Sequence, residues 1–526
     1  MENLFLKAMG VKDTVTENGA ISNSSSGKAI VDQFATAATY RDRIFADVSR
    51  DQEILWVEDP LTAIRFPYYL RMITRKTKVN DELITATLQK GQGVRDESFK
   101  RLLSIAKNHS DSFYYNIWML PIVGSWKDLW VLMYYDEVLG VNTLDRKIIY
   151  TLIEKGMGME THIDLIKKFM PRIKSSSKTK TEWTRLTNKY AKEFADFLGW
   201  NYYEYNKFKS TGKAHEFQKA MCSREFDKIN WNVIPGRALS QIVHSKFIEK
   251  NHLIDSYSKW LVEKEDVNFN GYPYELAEKV LKRNVNSAEL MTIDKQFDTL
   301  IKRTKDDATI NENVWCALDT SGSMCCTVNS SGVTALNVCL SLGIFFSSLN
   351  NGAFKDNVIM FSDMSKVKKL DGTFSKKLKS ILSDNTAWGG TNFQSVVDEI
   401  VRVRRRNPNI PLSEYPSSLL VVSDMQFNDV GRNTNYEAMK SKLYEVFPKE
   451  FVDSMKFIWW NVASRTKDFP ARVEDGGCYL LSGFDGSIIN LLLGNEMKSK
   501  DIAPISMEEL VQKALTQEIL LSIKLV

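Results

Sequence analysis

Histidine is scarce in this 526-residue chain, with five in all. That argues against histidine-built metal sites and against imidazole as the main acid–base device. The six cysteines (Cys222, Cys316, Cys325, Cys326, Cys339 and Cys478) have neither CxxC nor zinc-ligand spacing. They read as plain thiols, Cys316 in a strand and Cys339 in a helix. A reducing, cytoplasmic compartment is therefore expected. No apolar run approaches the ~20 residues that span a bilayer, so no membrane partner is expected. Met1 to Gly10 lacks the long apolar core and cleavage site of a signal peptide. A strong charge of one sign is also missing, the net charge being +5. Gly27-Lys28 is not a phosphate-binding loop, because Ser22 stands where its first glycine belongs and Ala29 where it needs Ser or Thr.

What is present centres on Asp319-Thr320-Ser321-Gly322-Ser323, directly after the apolar run Val314 to Leu318. Such a run reads as a buried parallel strand. The chain thus leaves a strand on a turn bearing one carboxylate and two hydroxyls at positions i, i+2 and i+4. Gly389-Gly390-Thr391-Asn392 sets a threonine on a glycine-rich turn before a helical pattern. Leu419 to Ser423 ends a second apolar strand on Asp424. An ordinary strand-to-helix turn would use such Ser and Asp residues as caps. The ordered set D-x-S-x-S, then T, then D resembles the metal-ion-dependent adhesion site of von Willebrand factor A (vWA) domains. Hard oxygen donors of this kind suit Mg²⁺ or another divalent cation.

The length calls for two or more cores. Residues 1–29 read as a flexible, loop-like segment. From 30 to 300 the patterns are helical, without strands, and punctuated by Pro60, Pro67, Pro121, Pro171 and Pro235. This suggests an all-α solenoid with diverged repeats. The character changes near 308. Apolar runs at 314–318, 357–361, 418–422, 456–462 and 478–481 alternate with helical patterns at about 334–349, 393–405, 435–447 and 485–493. Alternation of this kind predicts a doubly wound, Rossmann-like α/β domain over 308–526. Lys366 to Leu370 reads as a short charged edge strand beside 357–361, and 506–525 as a closing amphipathic helix. A domain junction is expected near 295–310. Trp118, Trp126, Trp130, Tyr114 and Tyr115 have helical spacing and read as packing between helices.

The helical part carries a second ordered set: Gly91-Gln92-Gly93-Val94-Arg95, then Leu120 to Leu129 with Gly124-Ser125-Trp126-Lys127-Asp128 inside it, then Phe169-Met170-Pro171-Arg172, then Ile229 to Ala238 with Pro235-Gly236-Arg237. These resemble the landmarks of the TROVE module of Ro-type RNA-binding ribonucleoproteins. The chain is closer still to a family that joins a TROVE-like helical region to a vWA-like domain. Thr16-Glu17-Asn18-Gly19-Ala20 and Phe457-Ile458-Trp459-Trp460-Asn461-Val462 fit that family too. The resemblance implies a HEAT-like, TROVE-like helical domain over 30–300, a vWA domain over 308–526, and binding of small or misfolded RNA.

Candidate sites follow. Ser321 and Ser323 would touch the metal, Thr391 directly or through water, with Asp319 and Asp424 balancing charge. An acidic side chain of a protein partner would take an open position. Residues 167–192 hold nine basic residues against Glu182 alone, which suits a phosphate backbone. Lys168, Arg172, Lys174, Lys178, Lys180 and Arg185 are the candidate RNA contacts. The expected function is RNA binding with a Mg²⁺-dependent ligand site and no catalysis. The alternatives are a scaffold that grips a partner carboxylate without RNA, and a metal-dependent hydrolase. The hydrolase reading suffers because Ser321 stands where aspartyl-nucleophile phosphatases carry a second carboxylate.

Overall fold

The computed structural model describes residues 14–39, 43–73, 75–77, 87–212, 216–282, 284–307, 312–328, 332–384, 389–463, 468–484 and 505–526. The helix expected at 485–493 lies outside them. A helical first part is followed by an α/β second part. Among the described residues the strands are, in chain order, β1 (Thr14–Val15), β2 (Ile21–Ser22), β3 (Arg75–Thr77), β4 (Thr87–Gln89), β5 (Val314–Asp319), β6 (Asn357–Phe361), β7 (Ser365–Lys369), β8 (Ser418–Ser423), β9 (Lys456–Asn461) and β10 (Cys478–Ser482). None of the described helices is long and apolar enough to cross a membrane.

The chain forms two compact units, one of residues 1–41 with 220–512, the other of 42–219 with 513–526. These differ from the expected divisions at 30–300 and 308–526. The composition does change near 308, but the helices on either side of that point share a core. Phe297, on the helix Ser287–Asp307, stacks on Phe374 of the helix Phe374–Leu382 with ring centroids 4.1 Å apart. Asp294 accepts bonds from the Ser375 N–H at 2.7 Å and its hydroxyl at 2.9 Å.

The first unit is built on a six-stranded sheet in the order β10-β9-β8-β5-β6-β7. All pairs are parallel except β6 with β7. β5, β8, β9 and β10 are buried at every position, as befits strands covered by helices on both faces. Trp459 and Trp460 show those faces. Trp459 packs against Phe393 and Phe427, its neighbour Trp460 against Phe346. The helix Ala335–Leu349 is apolar almost all round and buried along nearly its whole length. Gly343 lets it close on β5, since a Cβ there would overlap the Leu318 side chain. β7 is the expected charged edge, and Lys366 and Lys368 both reach Asp384. Such charge blunts edge-to-edge pairing.

Residues 14–29, expected to be a loose loop, are instead tied down. β1 and β2 pair antiparallel around the turn Thr16–Gly19, where Gly19 has φ +85°. Asn23 and Phe469 exchange backbone bonds of 3.1 and 2.9 Å. The polar composition that reads as loop is used here for hydrogen bonds.

The second unit is helical, from Phe45–Glu58 through Glu182–Phe197 to Tyr202–Ser210. Its described residues depart from the strand-free expectation at the antiparallel pair of β3 and β4. The Gly124 to Asp128 landmark proves to be a fold device. Asp128 is fully buried, pairs with Arg71 at 2.7 Å and accepts the Ser125 N–H at 2.8 Å. Trp126 and Trp130 are buried as expected, while Tyr115 is exposed. The C-terminal residues close this unit, with Lys524 and Asn116 bonded twice, at 2.7 and 3.0 Å.

Candidate functional site

The order of the sheet places β5 beside β8, where the chain switches direction of growth across the sheet. Open α/β sheets bind ligands at the carboxyl ends of strands at such a switch. Asp319 is the last residue of β5 and Asp424 follows β8. Thr320 fastens the end of β5 to that of β6, since its N–H and hydroxyl both donate to the Phe361 carbonyl, at 2.8 and 3.0 Å. The Ser321 N–H then turns back to Asp319 Oδ1 at 2.9 Å. Ser321 and Ser323 end with their hydroxyl oxygens 3.1 Å apart. Asp319, Ser321, Thr391 and Asp424 are buried, and Ser323 is half-buried.

Three loops are laced together here. The Gly322 N–H donates to the Gly389 carbonyl at 3.4 Å. Thr391 and Asn428 are paired twice, through the Thr391 N–H to Asn428 Oδ1 at 2.8 Å and the Asn428 N–H to the Thr391 carbonyl at 2.9 Å. Asp363 holds the glycine turn by accepting the Gly390 N–H at 2.6 Å. A Cβ on Gly389 would overlap that carboxylate, which is why the turn needs glycine.

Burial pushes the Asp319 carboxyl well above the usual carboxylate range, and the charge of Asp424 pushes it further. Two carboxylates brought so close inside a protein favour a cation between them. Among the described residues no three of His, Cys, Asp and Glu cluster as a metal site. The donors here are two carboxylates and three hydroxyls. An all-oxygen set of that kind suits a hard divalent cation rather than zinc. Met425, next to Asp424, has φ +65°, a strained conformation for a side chain of that size.

Five participants were not foreseen, Asn428 among them. Ser423 donates to Asp319 Oδ2 at 2.5 Å. Asp363 anchors the glycine turn. Asn18 donates to the Gln426 carbonyl at 2.5 Å and to Thr391 Oγ1 at 3.4 Å, and Gln426 Oε1 accepts the Glu17 N–H at 2.7 Å. Ser423 could have been read from its place at the strand end. Asn18 lies 373 residues from Thr391, and no local pattern points across that distance.

The basic stretch lies in the helical unit. Lys168 lies in the last turn of the helix Glu160–Phe169, and Arg172, Lys174, Lys178 and Lys180 line the connection to the helix Glu182–Phe197. All five are exposed, and among the described residues none makes an ion pair. Arg185 differs, being 3.7 Å from Glu182.

Residues 314–519 match a family model described as a domain of unknown function, DUF7788. No curated protein matches the chain. Among solved structures the chain is similar to the Ro (RSR) protein of Deinococcus radiodurans, with a TM-score of 0.41 and 14% identity over 75% of this chain and 86% of that one.

Proposed function

We propose that this chain is an RNA-binding protein whose α/β unit carries a Mg²⁺-dependent site for an acidic partner group. The observation behind the RNA reading is the run of unpaired cations Lys168, Arg172, Lys174, Lys178 and Lys180. Five exposed positive charges, none in an ion pair among the described residues, hold counterions that a phosphate backbone releases. The six free thiols agree with a reducing, cytoplasmic setting.

The metal reading rests on the oxygen donors gathered at the ends of β5 and β8. Bound Mg²⁺ would supply a positive charge with an open position for a carboxylate. Ser321 and Ser323 present hydroxyls to it, and Thr391 adds a third. Asp319 and Asp424 supply the balancing charge. The site is proposed as a recognition device and not a catalyst. Asp319 is fully buried, and its two oxygens are engaged by the Ser321 N–H and the Ser423 hydroxyl, which leaves it a poor nucleophile.

The second reading, a scaffold gripping a partner carboxylate without RNA, draws on the metal site alone. Filter binding of single-stranded RNA at two salt concentrations separates the two. RNA binding should weaken with salt with a log–log slope of roughly −0.7 per contacted phosphate. Joint replacement of Arg172, Lys174, Lys178 and Lys180 by Ala should flatten the slope and weaken binding alike across sequences. Weak binding that the four changes leave untouched would favour the scaffold.

A further inference from the structure

Beside the basic loop the helical unit holds a cleft of about 180 Å³ whose lining includes Lys127, Trp130, Phe169, Arg172, Lys174 and Trp183. Aromatic faces and cations thus meet in one small space. The volume is below the ~300 Å³ at which clefts for drug-sized molecules begin, so it suits a single ring system. Tyr134 meets Trp183 edge-on at 5.0 Å between centroids, which steadies the indole. Lys127 Nζ stands 5.8 Å over the same ring.

The loop that forms one wall is preformed. The Tyr205 hydroxyl donates to the Pro171 carbonyl at 2.9 Å. Ile173 exchanges two bonds with the Asn206 amide, at 3.1 and 3.0 Å, and the Lys174 N–H donates to Asn188 Oδ1 at 2.7 Å. These bonds use backbone atoms and leave the Arg172 and Lys174 side chains exposed. Positive charge is in excess nearby. The Lys209 ammonium is pushed down to about 8, by burial first and by the charge of Arg172 second.

We propose that this cleft binds one nucleotide of a single-stranded RNA, its base against the Trp183 indole and its phosphate among Lys127, Arg172 and Lys174. The inference rests on the RNA reading above and adds a base seat to it. Phosphate alone would need the cations but not the aromatic walls. Stacking accepts every base, so the seat should show little sequence preference.

The test uses the full chain, an end-labelled oligouridylate read by fluorescence anisotropy, and 5′-UMP and inorganic phosphate as competitors. Trp183→Leu should weaken the oligonucleotide about tenfold or more, and Trp183→Phe should restore most of the loss. UMP should compete at concentrations where phosphate does not. Because Trp183 also packs on Tyr134, a second variant joins exposed positions, Lys127→Ala with Arg172→Ala, and should weaken binding to a similar degree with an unchanged circular dichroism spectrum. If Trp183→Leu and this double variant bind like the wild type while Lys178→Ala with Lys180→Ala weakens binding, the cleft is refuted and the RNA reading survives. Equal competition by phosphate and UMP refutes the base seat. Absence of oligonucleotide binding by the wild type overturns both.

Discussion

Both oxygens of Asp319 are already tied to its own turn and to the end of β8, and those bonds set its position. One oxygen takes the Ser321 N–H, the other the Ser423 hydroxyl, so it orders the turn and contributes charge from behind the hydroxyls. Its position was legible because a carboxylate after an apolar run is rare without a reason. The Ser423 contribution could be placed at a strand end but not aimed at Asp319, since the two lie 104 residues apart. A different buried residue gives the pH prediction. His244 closes the helix Gly236–Val243, with a side chain 4% exposed and Glu289 Oε1 3.6 Å from Nδ1. Burial first, then the charges of Lys279 and Lys282, push its imidazole down to about 4 from 6.5. Between those values the unfolded chain holds the extra proton, so folding stability rises with pH across the window. The contribution is complete above about pH 6.5 and lost on acidification toward 4. His244→Gln should flatten the stability profile between pH 4.5 and 6.5, by roughly 1–3 kcal/mol across it. Chemical denaturation at stepped pH measures it, and an unchanged profile would exclude His244 as its source.

At the scale of elements, the glycine turn before the helix Gln394–Arg406 matters most. Gly389 sits against the Asp363 carboxylate with no room for a Cβ, while a Cβ on Gly322 would meet nothing within 4 Å. Two glycines of one site therefore predict opposite outcomes. Gly389→Ala should displace the turn carrying Thr391 and lower Mg²⁺ affinity about tenfold by calorimetry, whereas Gly322→Ala should leave it within twofold. Asp319→Ala, which removes a charge from the same site, sets the scale for complete loss. Equal affinity in all three variants would remove the metal site. The strands were readable element by element, because β5, β6, β8, β9 and β10 are apolar runs of the right length. The edge strand β7 was readable from its lysines. The antiparallel pair of β3 and β4 was not, since three-residue strands carry too few alternations to register.

For the whole molecule, the sequence pointed to the right classes of structure and to a different division of the chain. Helical periodicity before 307 and alternation after 313 are real. Yet the helices Pro273–Val280 and Ser287–Asp307 belong to the core of the α/β unit. Periodicity reports the local element and not its packing partner, so the change of pattern was read as a boundary. A fragment of residues 308–526 should consequently lack a cooperative thermal transition, because it leaves behind those helices and the Thr16–Gly19 turn. Circular dichroism melts of the fragment and the full chain compare them directly. A fragment that melts as sharply, and at the same temperature, would restore the junction near 308.

The turn Thr16–Gly19 also sets a schedule. The Thr16 hydroxyl donates to the carbonyl of Phe427, which is made 411 residues later. At ~5–20 residues per second of translation, roughly 20–80 s pass before that partner leaves the ribosome. Throughout that time the segment waits as a short polar ribbon, Thr14-Val15-Thr16-Glu17-Asn18-Gly19, with little apolar surface to stick to neighbours. When the loop after β8 emerges, the earliest described part of the chain settles beside Thr391. This early segment is thus made long before the loops it docks against, and Thr391 acquires its Asn18 neighbour only after both have been made.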